Sequence, residues 1–97
     1  MAIMEITIIP VTGSPSVSKY VAEAIKLIRE SGLKFELTPT STVIEGNIDE
    51  LFHLAKKIHL LPLEKGAPRN LTLIKIDDRR DKNITMEYKK KSVIEKI

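Results

Sequence analysis

The chain has 97 residues, no cysteine and a formal net charge of +3 at pH 7. This length predicts one domain spanning residues 1–97, and with two Phe, two Tyr and no Trp its core has to be aliphatic. The lack of cysteine excludes disulfides, zinc–thiolate sites and cysteine nucleophiles. No apolar run approaches the roughly 18 residues of a membrane-spanning helix. We therefore expect a cytoplasmic protein that does not bind membranes.

The first third of the chain predicts a strand followed by a helix. Ile3–Val11 is short and rich in β-branched residues, and alternate side chains make one fully apolar face and one mixed face. The mixed face predicts a sheet surface that is partly open or meets a partner. Ser14 and Pro15 are typical of an N-cap and a first helical residue. An apolar stripe follows, and Gly32 is expected to end the helix.

The middle of the chain predicts a hairpin and a second helix. Lys34–Thr38 and Ser41–Glu45 are short strands separated by a proline-containing break. Asn47 followed by Glu50 resembles a capping box at the start of a helix. Pro62 is expected to kink or end that helix.

The last third predicts a fourth strand, Leu71–Asp77, and a helix that starts near Ile84 with a thin apolar stripe. A thin stripe favours packing at an edge or against another subunit. The complete order is strand, helix, strand, strand, helix, strand, helix. We therefore predict an α+β fold: a ferredoxin-like βαββαβ sandwich with an antiparallel sheet, strand order 4-1-3-2, and an extra C-terminal helix.

Polar side chains gather in the hairpin Thr38–Gly46. Ser41 and Thr42 stand at one end of its second strand and Glu45 at the other. A carboxylate in a central strand needs a partner, and it can accept two hydrogen bonds from an amino-substituted heterocycle. The alternative is an exposed glutamate that simply precedes a capped helix.

Five consecutive charges, Asp77 to Asp81, follow the fourth strand directly. They can hold a ligand through carboxylate and guanidinium groups, or they can pair with one another at the strand end. A metal at Asp77 and Asp78 is disfavoured because the adjacent arginines compete for the same oxygens. His53 and His59 are six residues apart, so they share no helix face for a metal. We predict no metal site.

The sequence disfavours two further functions, RNA binding and acid–base catalysis. An RNA-binding domain with this element order stacks bases on sheet aromatics, and the first and fourth strands contain none, so we predict no nucleic-acid partner. Acid–base catalysis would rest on Glu45 and Asp77 alone, and no nucleophile motif is present. The sequence therefore favours a protein that is not an enzyme.

The chain resembles the small thiamine-binding-like family related to YkoF-type proteins, over nearly its full length. The run Lys75–Asp81 is the most specific marker. The others are Ile6–Pro10, the helix from Ser16 to Ile28, the hairpin Thr38–Gly46, and the pair Ile58–His59.

The resemblance implies a ferredoxin-like fold assembled into homodimers or homotetramers, often through the open sheet face. It also implies non-catalytic binding of thiamine or its hydroxymethylpyrimidine part, by a carrier or sensor with no other cofactor. On this basis Ser41, Thr42 and Glu45 suit the aminopyrimidine. Asp77 suits the cationic thiazolium, and Tyr20 can supply a ring. The alternative is an oligomeric interaction or regulatory module with no dedicated small-molecule ligand.

Overall fold

In the computed structural model, which describes residues 1–97, four strands form one antiparallel sheet. The strands are β1 (Ala2–Val11), β2 (Lys34–Leu37), β3 (Thr42–Gly46) and β4 (Arg69–Asp77). Their spatial order is β2-β3-β1-β4, so that β1 lies between β3 and β4. The predicted α+β, ferredoxin-like architecture and its strand order are confirmed.

Three helices accompany the sheet: α1 (Ser18–Glu30), α2 (Ile48–Glu64) and α3 (Met86–Ile94). The first two follow β1 and β3, as expected for two consecutive split βαβ units. The third is the extra C-terminal helix that the sequence predicts. None of the three combines the length and the apolar character needed to cross a membrane.

The pleat of β1 divides the sheet into two faces. Met4, Ile6 and Ile8 are buried and pack with residues of α1 and α2 in one aliphatic core, so we call this side the helix face. Ile3, Glu5, Thr7 and Ile9 lie on the opposite side, which we call the open face. Each residue of β3 and β4 takes the face of the β1 residue with which it is in register, and each residue of β2 takes the face of its partner in β3.

The start of α2 is confirmed, whereas the predicted start of α1 is wrong. Asn47 accepts the Glu50 N–H, and Glu50 reaches back to the Asn47 N–H, which completes the capping box. In contrast, α1 begins at Ser18, and no side chain caps it. Ser14 instead bonds within its own turn, because its hydroxyl accepts the Ser16 N–H.

Pro62 lies inside α2 and does not end it, since the helix continues to Glu64. A proline near the end of a helix removes one N–H donor and leaves one carbonyl of the previous turn unpaired. Its ring is fully buried, which favours its place in the core. The Ala67 N–H donates to the Pro62 carbonyl and so ties the end of α2 to the loop before β4.

The helix α3 lies across one end of the open face. Ion pairs join it to both edge strands: Lys89 pairs with Asp77 of β4, and Glu87 pairs with Lys34 of β2. Only Met86 of this helix is buried. At the other end, the open face is bare.

Candidate functional site

A cavity of about 220 Å³ opens between α1 and the turn that joins β2 to β3. We call it the turn cavity. Its walls are formed by apolar side chains of both layers of the sandwich, and its rim by residues 37–42. The main apolar walls are Ile6, Ile8, Ala24, Ile28 and Ile58. Drug-sized ligands usually occupy roughly 300–1,000 Å³, so the turn cavity suits a single small ring.

Hydrogen bonds hold the rim of the turn cavity in one conformation. The Thr38 N–H donates to the Ser41 carbonyl at 2.8 Å, and the Ser41 N–H donates to the Thr38 hydroxyl at 3.0 Å. The Ser41 hydroxyl donates to Glu5 across the sheet at 3.0 Å. Ser41 therefore lines the cavity with its hydroxyl already engaged, and a preorganised rim reduces the entropy lost on binding a ligand.

Among the polar residues that line the turn cavity, Thr42 is the one that is both buried and without a hydrogen-bond partner for its side chain. It is in register with Ile6, which places it on the helix face, and it is 6% exposed. Its hydroxyl makes no hydrogen bond within the protein, yet it is not sealed from the cavity. Buried hydroxyls normally find a partner, so Thr42 offers both a donor and an acceptor to a ligand.

Glu45 lies on the opposite face from Thr42 and outside the turn cavity. It is in register with Ile3, is 7% exposed and lies under α3. Its Oε1 accepts the Met86 N–H at 2.8 Å, at the first residue of that helix. A carboxylate at a helix N-terminus satisfies an orphan donor and complements the helix dipole.

Asp77 is also in register with Ile3, on the β4 side, and it pairs with Lys89. The hydrogen bond from Lys89 is the main reason why the pKa of Asp77 lies below its ordinary value of 3.8. Both carboxylates that an acid–base mechanism would use are therefore engaged with α3.

The loop after Asp77 satisfies its own charges. Arg79 pairs with Asp81, and Arg80 pairs with Asp78 at 3.3 Å. The hydrogen bond from Arg79 lowers the pKa of Asp81 to about 2. Of the two interpretations of this charged run, internal pairing is the one that the structure displays.

Tyr20 lies on α1, is 7% exposed, and lines a different cleft, next to the end of α2. Of the five predicted site residues, the turn cavity thus holds two, Ser41 and Thr42. Glu45 and Asp77 lie together at α3, away from that cavity. The period-two alternation of a strand separates Thr42 from Glu45, since positions three apart point to opposite faces. The cavity itself had no signal in the sequence, because its lining residues come from five separate elements.

Three comparisons relate the chain to known proteins. A family model described as "Thiamine-binding protein" matches residues 4–94. The UPF0045 protein YqgV of Bacillus subtilis is 48% identical, over 96% of this chain and 94% of the relative. The UPF0045 protein ECM15 of Eremothecium gossypii is 39% identical, over 98% of this chain and 91% of the relative.

Two solved structures are also similar to this chain. The hypothetical protein MJ1052 of the archaeon Methanocaldococcus jannaschii has a TM-score of 0.90 and 38% identity, covering 97% of this chain and 96% of that one. A Thermotoga maritima protein, named for a suggested role in thiamine biosynthesis or salvage, has a TM-score of 0.82 and 25% identity. That match covers 95% of this chain and 97% of the other.

Proposed function

Since this chain belongs to the thiamine-binding protein family, we propose that it binds thiamine or a related pyrimidine without catalysis, in the turn cavity. The observation that carries the proposal is the unpartnered Thr42 hydroxyl within apolar walls. A cavity of about 220 Å³ accommodates one ring, so the pyrimidine enters and the thiazolium stays at the rim. The protein acts as a carrier or sensor.

The chemistry of the cavity fits a neutral heteroaromatic ring. The walls bury its faces, with a favourable free energy of roughly 25 cal/mol per Å² of apolar surface. The Thr42 hydroxyl can donate to a ring nitrogen or accept from an exocyclic amine. No carboxylate lines the cavity, so recognition there does not rely on charge.

Isothermal titration with thiamine and with hydroxymethylpyrimidine tests this proposal. We expect Thr42→Val to weaken binding about tenfold, because one hydrogen bond to the ligand, worth about 1 to 1.5 kcal/mol, is lost. The variant keeps the shape and β-branching of threonine. Its free energy of unfolding is expected to equal or exceed that of the parent, since an unpartnered hydroxyl is removed.

Thr12→Val is the matched control, because it removes a hydroxyl that lines the other cleft. It is expected to leave thiamine affinity unchanged. If neither ligand gave a saturable signal with the parent protein, the binding proposal would be wrong, and the alternative of a pure interaction module would stand. Equal affinity of parent and Thr42→Val would remove Thr42 from the site.

We further propose that the protein is a homo-oligomer that buries the bare half of its open face. Ile9 and Leu71 are direct cross-strand neighbours there, and Leu73 and Val11 extend the strip. All four are exposed, with Leu73 at 62%. A contiguous exposed apolar patch indicates an interaction surface, and an apolar strip that faces its own copy is self-complementary across a two-fold axis.

A further inference from the structure

A second cleft, of about 530 Å³, lies between the start of α1 and the loop that follows α2. It shares no lining residue with the turn cavity. Four hydroxyl side chains line it, together with two lysines, so we call it the serine cleft. The hydroxyl residues are Thr12, Ser14, Ser16 and Ser18.

The start of α1 provides free donors to this cleft. No side chain caps the helix, and its first turn holds no acidic residue. The first backbone N–H groups of a helix have no intrahelical partner, and they carry the positive end of the helix dipole. The Ser18 and Lys19 amides are such donors. A helix terminus of this kind favours an anion, although it does not define a site by itself.

Tyr20 is an independent indication that the cleft receives a ligand. The residue is 7% exposed, so more than nine-tenths of its surface is buried, and it lines the cleft. Its hydroxyl makes no hydrogen bond within the protein and is not sealed from solvent. A largely buried tyrosine usually has a hydrogen-bond partner for its hydroxyl. The Tyr20 hydroxyl has none within the protein, so it is available to a ligand in the cleft.

The charges around the cleft have one sign. Lys19 lies over the Tyr20 ring, with Nζ 5.1 Å from the ring centroid, and Lys65 stands on the facing loop. Neither lysine pairs with a carboxylate, and no acidic side chain lines the cleft. The cleft thus offers two cations, several hydroxyls and free backbone N–H groups. A ligand that matches them is a compact polyanion with many hydrogen-bond acceptors.

We propose that the serine cleft binds a phosphate group, either free phosphate or the phosphoryl end of a small phosphate monoester. The two lysines balance its charge, while the Ser16 and Ser18 hydroxyls, the α1 amides and the Tyr20 phenol donate to its oxygens. This site is independent of pyrimidine binding, because the two cavities have no residue in common.

Phosphorus-31 NMR titration of inorganic phosphate, at fixed ionic strength and pH 7.5 or so, tests the proposal. We expect saturable line broadening with the parent protein. The double variant Lys19→Gln/Lys65→Gln is expected to weaken binding about tenfold or more, since two charge-assisted contacts are lost. Tyr20→Phe keeps the buried ring and is expected to weaken binding about threefold.

The matched control is Lys56→Gln/Lys57→Gln, which removes the same charge from exposed positions on α2 outside the cleft. It is expected to leave phosphate affinity unchanged. Equal weakening by the two double variants would show general attraction by a basic surface and would overturn the proposal. An absence of saturable binding by the parent protein would do the same.

Methyl phosphate distinguishes the two sources of the phosphate group. Binding of both ligands, with the same sensitivity to Lys19→Gln/Lys65→Gln, assigns the cleft to a phosphate monoester as well as to the free ion. Binding of inorganic phosphate alone assigns it to the free ion. Circular dichroism of each variant verifies the fold, so a loss of binding reports on the cleft.

Discussion

The Glu45 carboxylate lies between the sheet and the first turn of α3, where it accepts the Met86 N–H. Its neighbour across β1, Asp77, is joined to the same helix through Lys89. Both acidic residues therefore hold α3 on the open face. Their common register with Ile3 explains why one short helix can engage both.

We expect Glu45→Ala to release the start of α3 and to lower the free energy of unfolding by about 1 to 3 kcal/mol, the cost of an unsatisfied buried donor. Amide hydrogen exchange of residues 86–94 measures the release, and urea unfolding measures the stability. Glu45→Gln keeps an acceptor oxygen at the same place and is expected to change either measurement less.

The Glu45→Gln variant also tests whether Glu45 binds the ligand. Because Glu45 lies outside the turn cavity, we expect Glu45→Gln to retain the thiamine affinity of the parent protein in titration calorimetry. A large loss of affinity in Glu45→Gln, with α3 still protected from exchange, would place this carboxylate in the ligand site.

Local patterns at single residues were readable from the sequence only where no other hydrogen bond or packing contact competes. Asn47 and Glu50 sit three apart at a helix start and form the predicted capping box. Ser14 has the same cap-forming side chain, but its bonds to its own turn delay α1 to Ser18. The free hydroxyl of Thr42 depends on packing across two layers, which no local pattern encodes.

At the scale of elements, α3 meets the edge strands of the sheet through three exposed ion pairs. Besides the Lys89–Asp77 and Glu87–Lys34 pairs, Lys90 pairs with Glu36 of β2. The sequence predicts a weakly packed final helix from its thin apolar stripe, and the single buried residue of α3 accords with that. It does not predict which strands the helix meets, because charged residues follow no periodicity that identifies a partner.

We expect α3 to be held less tightly to the sheet under acidic conditions. The hydrogen bond from Lys89 lowers the pKa of Asp77 from 3.8, and that from Lys34 lowers the pKa of Glu87 from 4.5. A lowered carboxyl pKa means that the stabilisation is present above the ordinary value and is lost as the pH falls through the folded value. Docking is thus expected to be complete near neutrality and to weaken below about pH 4.

The Lys34–Glu87 ion pair also weakens at high pH. The hydrogen bond with Glu87 raises the pKa of Lys34 above 10.5, so its contribution is lost only as the pH rises through that raised value. Amide exchange of residues 86–94 across the pH range measures both limits. Lys89→Gln removes the partner of Asp77 and is expected to lower the protection of α3 at neutral pH as well. Lys91→Gln is its control, since Lys91 pairs with Glu95, the residue that follows α3. Unchanged protection of α3 at pH 3 or so would show that apolar contacts of Met86 hold it instead.

At the scale of the whole molecule, the two faces of the sheet differ in how much of each is covered by helices. The helix face is sealed by α1 and α2, and α3 covers one end of the open face. The alternation of β1 into one apolar and one mixed face was readable from the sequence, whereas the expected partner of the mixed face stays a prediction. The division of that face into a covered and a bare half follows from the placement of α3.

We expect Leu71→Glu/Leu73→Glu to convert the proposed oligomer into a monomer. The pair lies in the centre of the bare strip, opposite Ile9 and Thr7 of β1. Burying a carboxylate without a partner costs several kcal/mol, so two copies facing each other would be disfavoured on both sides of a two-fold axis. Sedimentation velocity at micromolar concentration measures the result, with a dimer or tetramer for the parent protein and a monomer for the variant.

Phe52→Glu is the control for the same charge change, since Phe52 is an exposed apolar side chain on α2, on the other side of the molecule. It is expected to sediment as the parent protein does. A parent protein that sediments as a monomer would contradict the assembly outright. If the Leu71→Glu/Leu73→Glu protein kept the parent's size, the interface would lie elsewhere, because an apolar strip carrying four new carboxylates per dimer cannot stay closed without partners for them.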